Sequence, residues 1–121
     1  MTKHRLLIVE DSELNRDLLV QIFEDAYEIE TAVEGDAAVE AATTRKHDLI
    51  LMDIGLPGLN GLDAVKAIRR HGEELPIVAV SSLVMAGDRE RALEAGCDAF
   101  VPKPIDDVRL VELVKSLIGG R

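Results

Sequence analysis

The chain has 121 residues, 47% of them hydrophobic, which suits one domain with one core and argues against disorder. Lys and Arg number 14 against 23 Asp and Glu, a net charge of -9, which disfavours direct binding to nucleic-acid phosphates. The single cysteine, Cys97, excludes an intrachain disulfide, and no apolar run approaches a signal-peptide core or the ~20 residues of a membrane helix, so a cytoplasmic, membrane-free protein is expected.

Short apolar runs alternate with amphipathic stretches along the chain. Leu6 to Val9 reads as a strand buried on both faces, followed by a helix capped by Ser12 and running to about Ala26. Ile29 to Val33 is a weaker strand, followed by a helix near Asp36 to Thr43. Leu49 to Met52 is a strong strand and precedes a helix over Leu62 to His71, with Gly72 at its C-cap. Ile77 to Val80 follows Pro76 as a fourth strand, and Ala86 to Ala95 is the next helix, stopped by Gly96. Ala99 to Val101 is the last strand and Ile105 to Ile118 the last helix, before a Gly119-Gly120-Arg121 tail that reads as a frayed end or as part of a linker. Five strand–helix alternations predict an α/β fold, a doubly wound parallel sheet with helices on both faces. No internal repeat or linker interrupts it, so residues 1–121 read as one domain.

In such a sheet all strand C-terminal ends lie on one side, where ligands bind. Chemistry-bearing residues sit just past four of the strands. Glu10 and Asp11 follow the first, Asp53 the third, Ser81 closes the fourth and Lys103 follows the fifth between Pro102 and Pro104. Three carboxylates in one crevice repel one another unless a hard cation such as magnesium joins them. A hydroxyl and an ammonium beside them suit a phosphoryl group. Each residue has a plainer reading: an acidic helix start for Glu10 and Asp11, a loop start for Asp53, a helix N-cap for Ser81 and a solvated surface lysine for Lys103. Taken together they favour the site.

The pieces Ile8-Val9-Glu10-Asp11, Asp48 to Ile54, Pro57-Gly58, Asn60-Gly61, Ala79 to Ser82, Ala95 to Asp98 and Lys103-Pro104 occur in the order and spacing of one family. The chain resembles the receiver domain of two-component response regulators over essentially its whole length. The stretch Met85 to Arg89 is most similar to receivers of hybrid kinases and small single-domain regulators. The resemblance implies a flavodoxin-like three-layer fold with strand order 2-1-3-4-5. It implies that Asp53 accepts a phosphoryl group from a sensor histidine kinase or histidine phosphotransfer protein. It implies magnesium held by Glu10, Asp11, Asp53 and the backbone carbonyl of Gly55, with Lys103 and Ser81 on the phosphoryl oxygens. Ser81 and Phe100 would form the switch that alters a surface read by a downstream protein. The chain would then be a signalling protein and not a metabolic enzyme, although its own residues assist phosphorylation and dephosphorylation.

Departures from the family pattern sharpen this expectation. Ser81 replaces the commoner threonine and keeps the hydroxyl, while Phe100 lacks the phenolic oxygen of many relatives, so its switching would rest on packing alone. Gly55 and Leu83 cannot hydrogen-bond a hydrolytic water through their side chains, which predicts slow self-dephosphorylation. Pro102 fits only an edge strand, and the Lys103–Pro104 bond is expected to be cis as in the family. On the first helix, Leu14, Leu18, Ile22 and Ala26, widened by Leu19 and Phe23, form the predicted core stripe. Val20 falls opposite, as a lone exposed valine or as part of the face with which receivers meet kinases. His4, His47 and His71 are expected at the surface, and Cys97 as a buried, inert thiol. Two rivals remain open: a flavodoxin-like or phosphohydrolase-like enzyme on the same fold, against which this chain has Gly55 where aspartyl phosphohydrolases usually carry a second acid, and a pseudo-receiver that binds partners constitutively, against which the complete acid–hydroxyl–lysine set argues.

Overall fold

The structure is a computed structural model and describes residues 3–55, 60–81 and 86–119. Five strands form one parallel sheet in the order β2-β1-β3-β4-β5, as expected. They are β1 (Arg5–Val9), β2 (Glu28–Ala32), β3 (Leu49–Asp53), β4 (Ile77–Ser81) and β5 (Ala99–Pro102). The helices are α1 (Glu13–Phe23), α2 (Gly35–Thr44), α3 (Gly61–Arg70), α4 (Asp88–Ala95) and α5 (Asp107–Gly119).

Strand side chains alternate between two faces, and both faces are buried. Leu7, Val9, Ile50, Met52, Ile77 and Ala79 meet the small residues Ala38, Ala41 and Ala64, with Val65 and Ile68, beneath α2 and α3. Leu6, Ile8, Leu51, Val78 and Val80 meet Leu19 and Phe23 of α1 and Leu110, Val114 and Ile118 of α5. That two-sided burial is why β1, β3 and β4 appear in the sequence as unbroken apolar runs. The outer strands β2 and β5 bury less and are correspondingly fainter in the sequence.

The register aligns the strand ends. Val9 pairs with Met52 and with Ala32, Asp53 with Val80, and Ser81 with Pro102. β5 is an edge strand, which accommodates Pro102, and the Lys103–Pro104 bond is cis.

Several boundaries differ from expectation. α1 ends at Phe23, because the chain turns there to tuck Tyr27 edge-on against the Phe23 ring, with centroids 5.8 Å apart. β2 ends at Ala32, leaving Val33 largely exposed. α4 begins at Asp88 after Gly87, whose φ of 87° ends any helical run reaching back to Ala86. α5 begins at Asp107, two residues later than predicted.

The face of α1 needs a larger correction. Leu19 and Phe23 are its buried residues, flanked by half-buried Val20 and Ile22. Leu14 is 71% and Leu18 50% exposed, and Ala26 is exposed beyond the helix. The helix is turned by about 100°, one residue's step, from the stripe read in the sequence. Val20 therefore packs against the core and is not a lone exposed residue.

Candidate functional site

The carboxyl ends of β1, β3, β4 and β5 bring Glu10, Asp11, Asp53, Ser81 and Lys103 to one crevice. Glu10 and Asp53 are buried, Ser81 is buried, and Asp11 is exposed at the rim. One carboxylate oxygen from each of Glu10, Asp11 and Asp53 lies within 4.8 Å of the others. Hard oxygen donors at that separation fit a small divalent cation that keeps part of its water shell. They are the one group of its kind among the described residues.

Glu10 is held on every side. Its Oε1 accepts from Lys103 Nζ at 2.7 Å and its Oε2 accepts from the Ser12 N–H at 3.2 Å. Its backbone N–H donates to the Ala32 carbonyl at 3.0 Å, and its own carbonyl accepts from Arg16 Nη1 at 3.2 Å. A carboxylate only 1% exposed would otherwise carry a large desolvation cost, and the Lys103 ammonium offsets it. Sequence reading misses Arg16, placed on the polar side of α1, because six residues of separation carry no periodic signal. Ser12 is the expected cap, and its Oγ does accept from the Asn15 N–H. Its backbone contact with Glu10 has no counterpart in the sequence reading.

Asp53 ends β3. Its Oδ1 accepts from the Gly55 N–H at 2.9 Å, and its Oδ2 stands 4.0 Å from Lys103 Nζ. Lys103 thus spans two of the three acids. Its position is fixed at the backbone, where its N–H donates to the Ser81 carbonyl at 2.7 Å. That bond continues the β4–β5 ladder past Pro102 and locks Lys103 beside Ser81. Ser81 closes β4 and lies well before α4, whose N-cap is Gly87, so its reading as a helix cap is excluded. With three carboxylates and one ammonium, the crevice retains an excess of negative charge that the protein leaves uncompensated.

Phe100 is buried in the cluster beneath α3 and α4. Leu83 and Ser82 of the switch loop, Pro57-Gly58, and Met85 of the stretch before α4 lie outside the described residues. A groove of about 770 Å³ adjoins the crevice without covering it, lined by Leu18, Ile22, Lys103, Pro104 and Ile105 among others.

Two further expectations concern the side groups. Burial pushes the Cys97 thiol up to about 11, as suits an inert core cysteine. His4 and His71 are exposed, but His47 is not. Its ring is fully buried, with Nε2 2.8 Å from Glu30 Oε1, so the expected surface role is corrected. A partner 17 residues away on β2 draws it in, which no local pattern foretells.

A parallel five-stranded sheet with this acid–hydroxyl–lysine crevice at its carboxyl edge defines a class, the phospho-accepting signalling switches on a doubly wound fold. Residues 6–115 match the response regulator receiver domain, and the chain belongs to that family. It is 40% identical to the polar-differentiation response regulator DivK of Brucella ovis, with 98% of each chain covered. Among solved structures, the receiver domain of the Pseudomonas aeruginosa sensor histidine kinase PA1611 superposes with a TM-score of 0.90 at 31% identity, covering 98% of this chain and 99% of that one. That receiver carries a magnesium ion in its active-site cleft. The receiver domain of a Syntrophus aciditrophicus signal-transduction histidine kinase is 32% identical, with a TM-score of 0.87, 97% of this chain and 91% of that one covered. The family is one of signalling proteins and not of metabolic enzymes. Among the described residues, no helix is long and apolar enough to cross a membrane.

Proposed function

We propose that residues 1–121 form one cytoplasmic receiver domain that takes a phosphoryl group onto Asp53 from the phosphohistidine of a sensor kinase or phosphotransfer protein. The observation that carries this reading is Lys103, whose ammonium reaches Glu10 and Asp53 at once inside a three-carboxylate crevice. Glu10, Asp11 and Asp53 would hold magnesium, with the Gly55 carbonyl as a further ligand, and the related Pseudomonas receiver binds that ion in its active-site cleft. Bound there, the metal would supply charge neutralisation for the phosphoryl oxygens.

The remaining chemistry belongs to the chain. Asp53 attacks phosphorus through a carboxylate oxygen, an O–P bond forms, and the P–N bond breaks with its electron pair leaving on the donor imidazole. Lys103 lies close enough to follow charge from Asp53 to the transferred oxygens, and Glu10 keeps the ammonium aimed inward. The Ser81 hydroxyl donates to a phosphoryl oxygen and draws the end of β4 inward. That motion biases the packing around buried Phe100 and so changes the surface read by a downstream protein. Gly55 and Leu83 offer no side-chain hydrogen bond to a hydrolytic water, so the acyl phosphate persists longer than in receivers with polar residues there. Loss of the phosphoryl group within seconds would overturn that expectation.

The donor would dock beside the crevice. Leu18 lines the groove that runs through Pro104 and Ile105 to Lys103. Exposed Leu14 lies one turn before Leu18 on α1, and exposed Val108 follows the lining residue Asp107, so a helix seated there presents its histidine to Asp53. This places the docking contact to one side of Val20 on α1. The decisive experiment incubates the protein with magnesium and a small acyl phosphate, then compares wild type with Asp53→Asn on a phosphate-affinity gel. A retarded band in wild type alone is expected; no retarded band in wild type ends the proposal.

A further inference from the structure

We infer that Gly61, at the start of α3, is a positioning residue that sets the orientation of the Asp53–Ile54 peptide and through it the metal-binding carboxylate. The inference rests on the reading of Asp53 as phosphoacceptor. A methyl group built on Gly61 would lie 2.4 Å from the Asp53 carbonyl oxygen and 2.4 Å from Ile54 Cα. Both are backbone atoms, so no side chain can swing aside. The glycine is required by space, since it has no positive φ.

The same peptide is gripped from its other side, where the Ile54 N–H donates to the Val80 carbonyl of β4 at 3.1 Å. β4 therefore fixes one edge of the peptide plane and the first turn of α3 presses on the other. That turn is itself fixed, because Asn60 caps it by accepting from the Asp63 N–H at 3.0 Å and buried Ala64, Val65 and Ile68 anchor the helix to the core. One residue further, Gly55 donates to Asp53 Oδ1 at 2.9 Å, so a rotated Asp53–Ile54 peptide carries both the carboxylate and the Gly55 backbone with it. Relieving a 2.4 Å contact to ordinary van der Waals distance requires about 1 Å of movement. Mutating the groups that orient a metal ligand weakens metal binding by roughly 10- to 100-fold, and a shifted Asp53–Ile54 peptide disturbs such a group.

The test measures magnesium affinity by titration calorimetry, and thermal unfolding in a chelator, for wild type, Gly61→Ala and Ala64→Gly. Ala64 is buried one turn further along the same helix, so Ala64→Gly loosens α3 without adding an atom that pushes on the site. At least a tenfold loss of magnesium affinity in Gly61→Ala, with wild-type affinity kept in Ala64→Gly at comparable thermal loss, supports the inference. Equal affinity in Gly61→Ala and wild type overturns it, as does an equal loss in both variants. If Gly61→Ala does not fold, Asn60→Ala replaces it, since releasing the cap lets the first turn withdraw; a several-fold weaker metal affinity supports the inference and unchanged affinity overturns it. Wild type that binds no magnesium refutes the phosphoacceptor reading itself, which separates the two failures.

Discussion

The two ends of the sheet use the same charged residue types to opposite effect. At the amino edge, charges are largely paired, although the buried His47 Nδ1 has no hydrogen-bond partner. Arg69 donates to the carbonyls of Glu73, Leu75 and Gly96 at 2.7–3.0 Å and pairs with Asp98 at 3.1 Å. Asp98 Oδ2 also accepts from the Ile77 N–H at 2.8 Å. Near that edge Glu30 is shared by Arg45 and His47. At the carboxyl edge, one lysine reaches two of three clustered acids. Satisfied groups fasten helices to strands; the underpaired acids could hold a cation. Stability and function are thus segregated along the strand direction, and substitutions at the two edges should separate them.

The largest effect is expected for Asp53→Asn. Phosphoryl uptake should fall below detection, because the amide is no nucleophile, while the thermal midpoint stays level or rises as one repelling charge is removed. A large drop in stability on chelator-treated protein would break the segregation. Lys103→Met probes the point where the edges behave alike. It leaves Glu10, 1% exposed, without its counter-ion, and should cost about 3 kcal/mol in denaturant unfolding without metal. Millimolar magnesium should restore much of that loss, since a cation among the same carboxylates replaces the ammonium electrostatically. A loss indifferent to magnesium would mean that Lys103 matters there for packing and not for charge.

Arg69→Ala should act in the reverse sense. It strips hydrogen bonds from three carbonyls and from Asp98, joining α3, the loop before β4 and the α4 C-cap, at a cost of about 2–3 kcal/mol in urea unfolding. Its phosphorylation rate, measured cold where the variant stays folded, should match wild type. A rate loss of tenfold or more in folded protein would show that the amino edge also shapes the crevice.

These two edges are unequally legible in the amino-acid sequence, for a physical reason. Continuous apolar runs mark β1, β3 and β4, and the residue after each run falls at the sheet's carboxyl edge. Glu10, Asp11, Asp53 and Ser81 can therefore be grouped from the strand–helix alternation, and Lys103 joins them after the fainter last strand. The amino-edge contacts have no such marker. Arg69 reaches Gly96 across 27 residues and His47 reaches Glu30 across 17, and only the completed topology supplies those partners. The face of α1 is ambiguous for a different cause. Its apolar residues cover more than half the helix circumference, so periodicity allows two orientations, and packing on β1 and α5 selects Leu19 and Phe23 over Leu14 and Leu18. The steric demand at Gly61 is likewise invisible in the sequence, because it comes from backbone of another element.

The smallest expected effect concerns pH at Glu30. Hydrogen bonds from Arg45, and to a lesser degree from His47, hold its carboxyl below the ordinary value of 4.5 against the opposing pull of partial burial. A carboxyl depressed on folding contributes its full stabilisation above its unfolded value and loses it as pH falls through the lower folded one. Stability should therefore decline on acidification below about pH 4.5, and part of that decline belongs to Glu30. In Glu30→Gln the amide oxygen still accepts from His47 Nε2, while the charge facing Arg45 is gone. The variant should unfold about 3 °C lower at pH 7, and the gap to wild type should close toward pH 3. A gap that stays constant across that range would assign the Glu30 contribution to hydrogen-bond geometry and not to charge. The amino edge would then be as indifferent to pH as the apolar layers it joins.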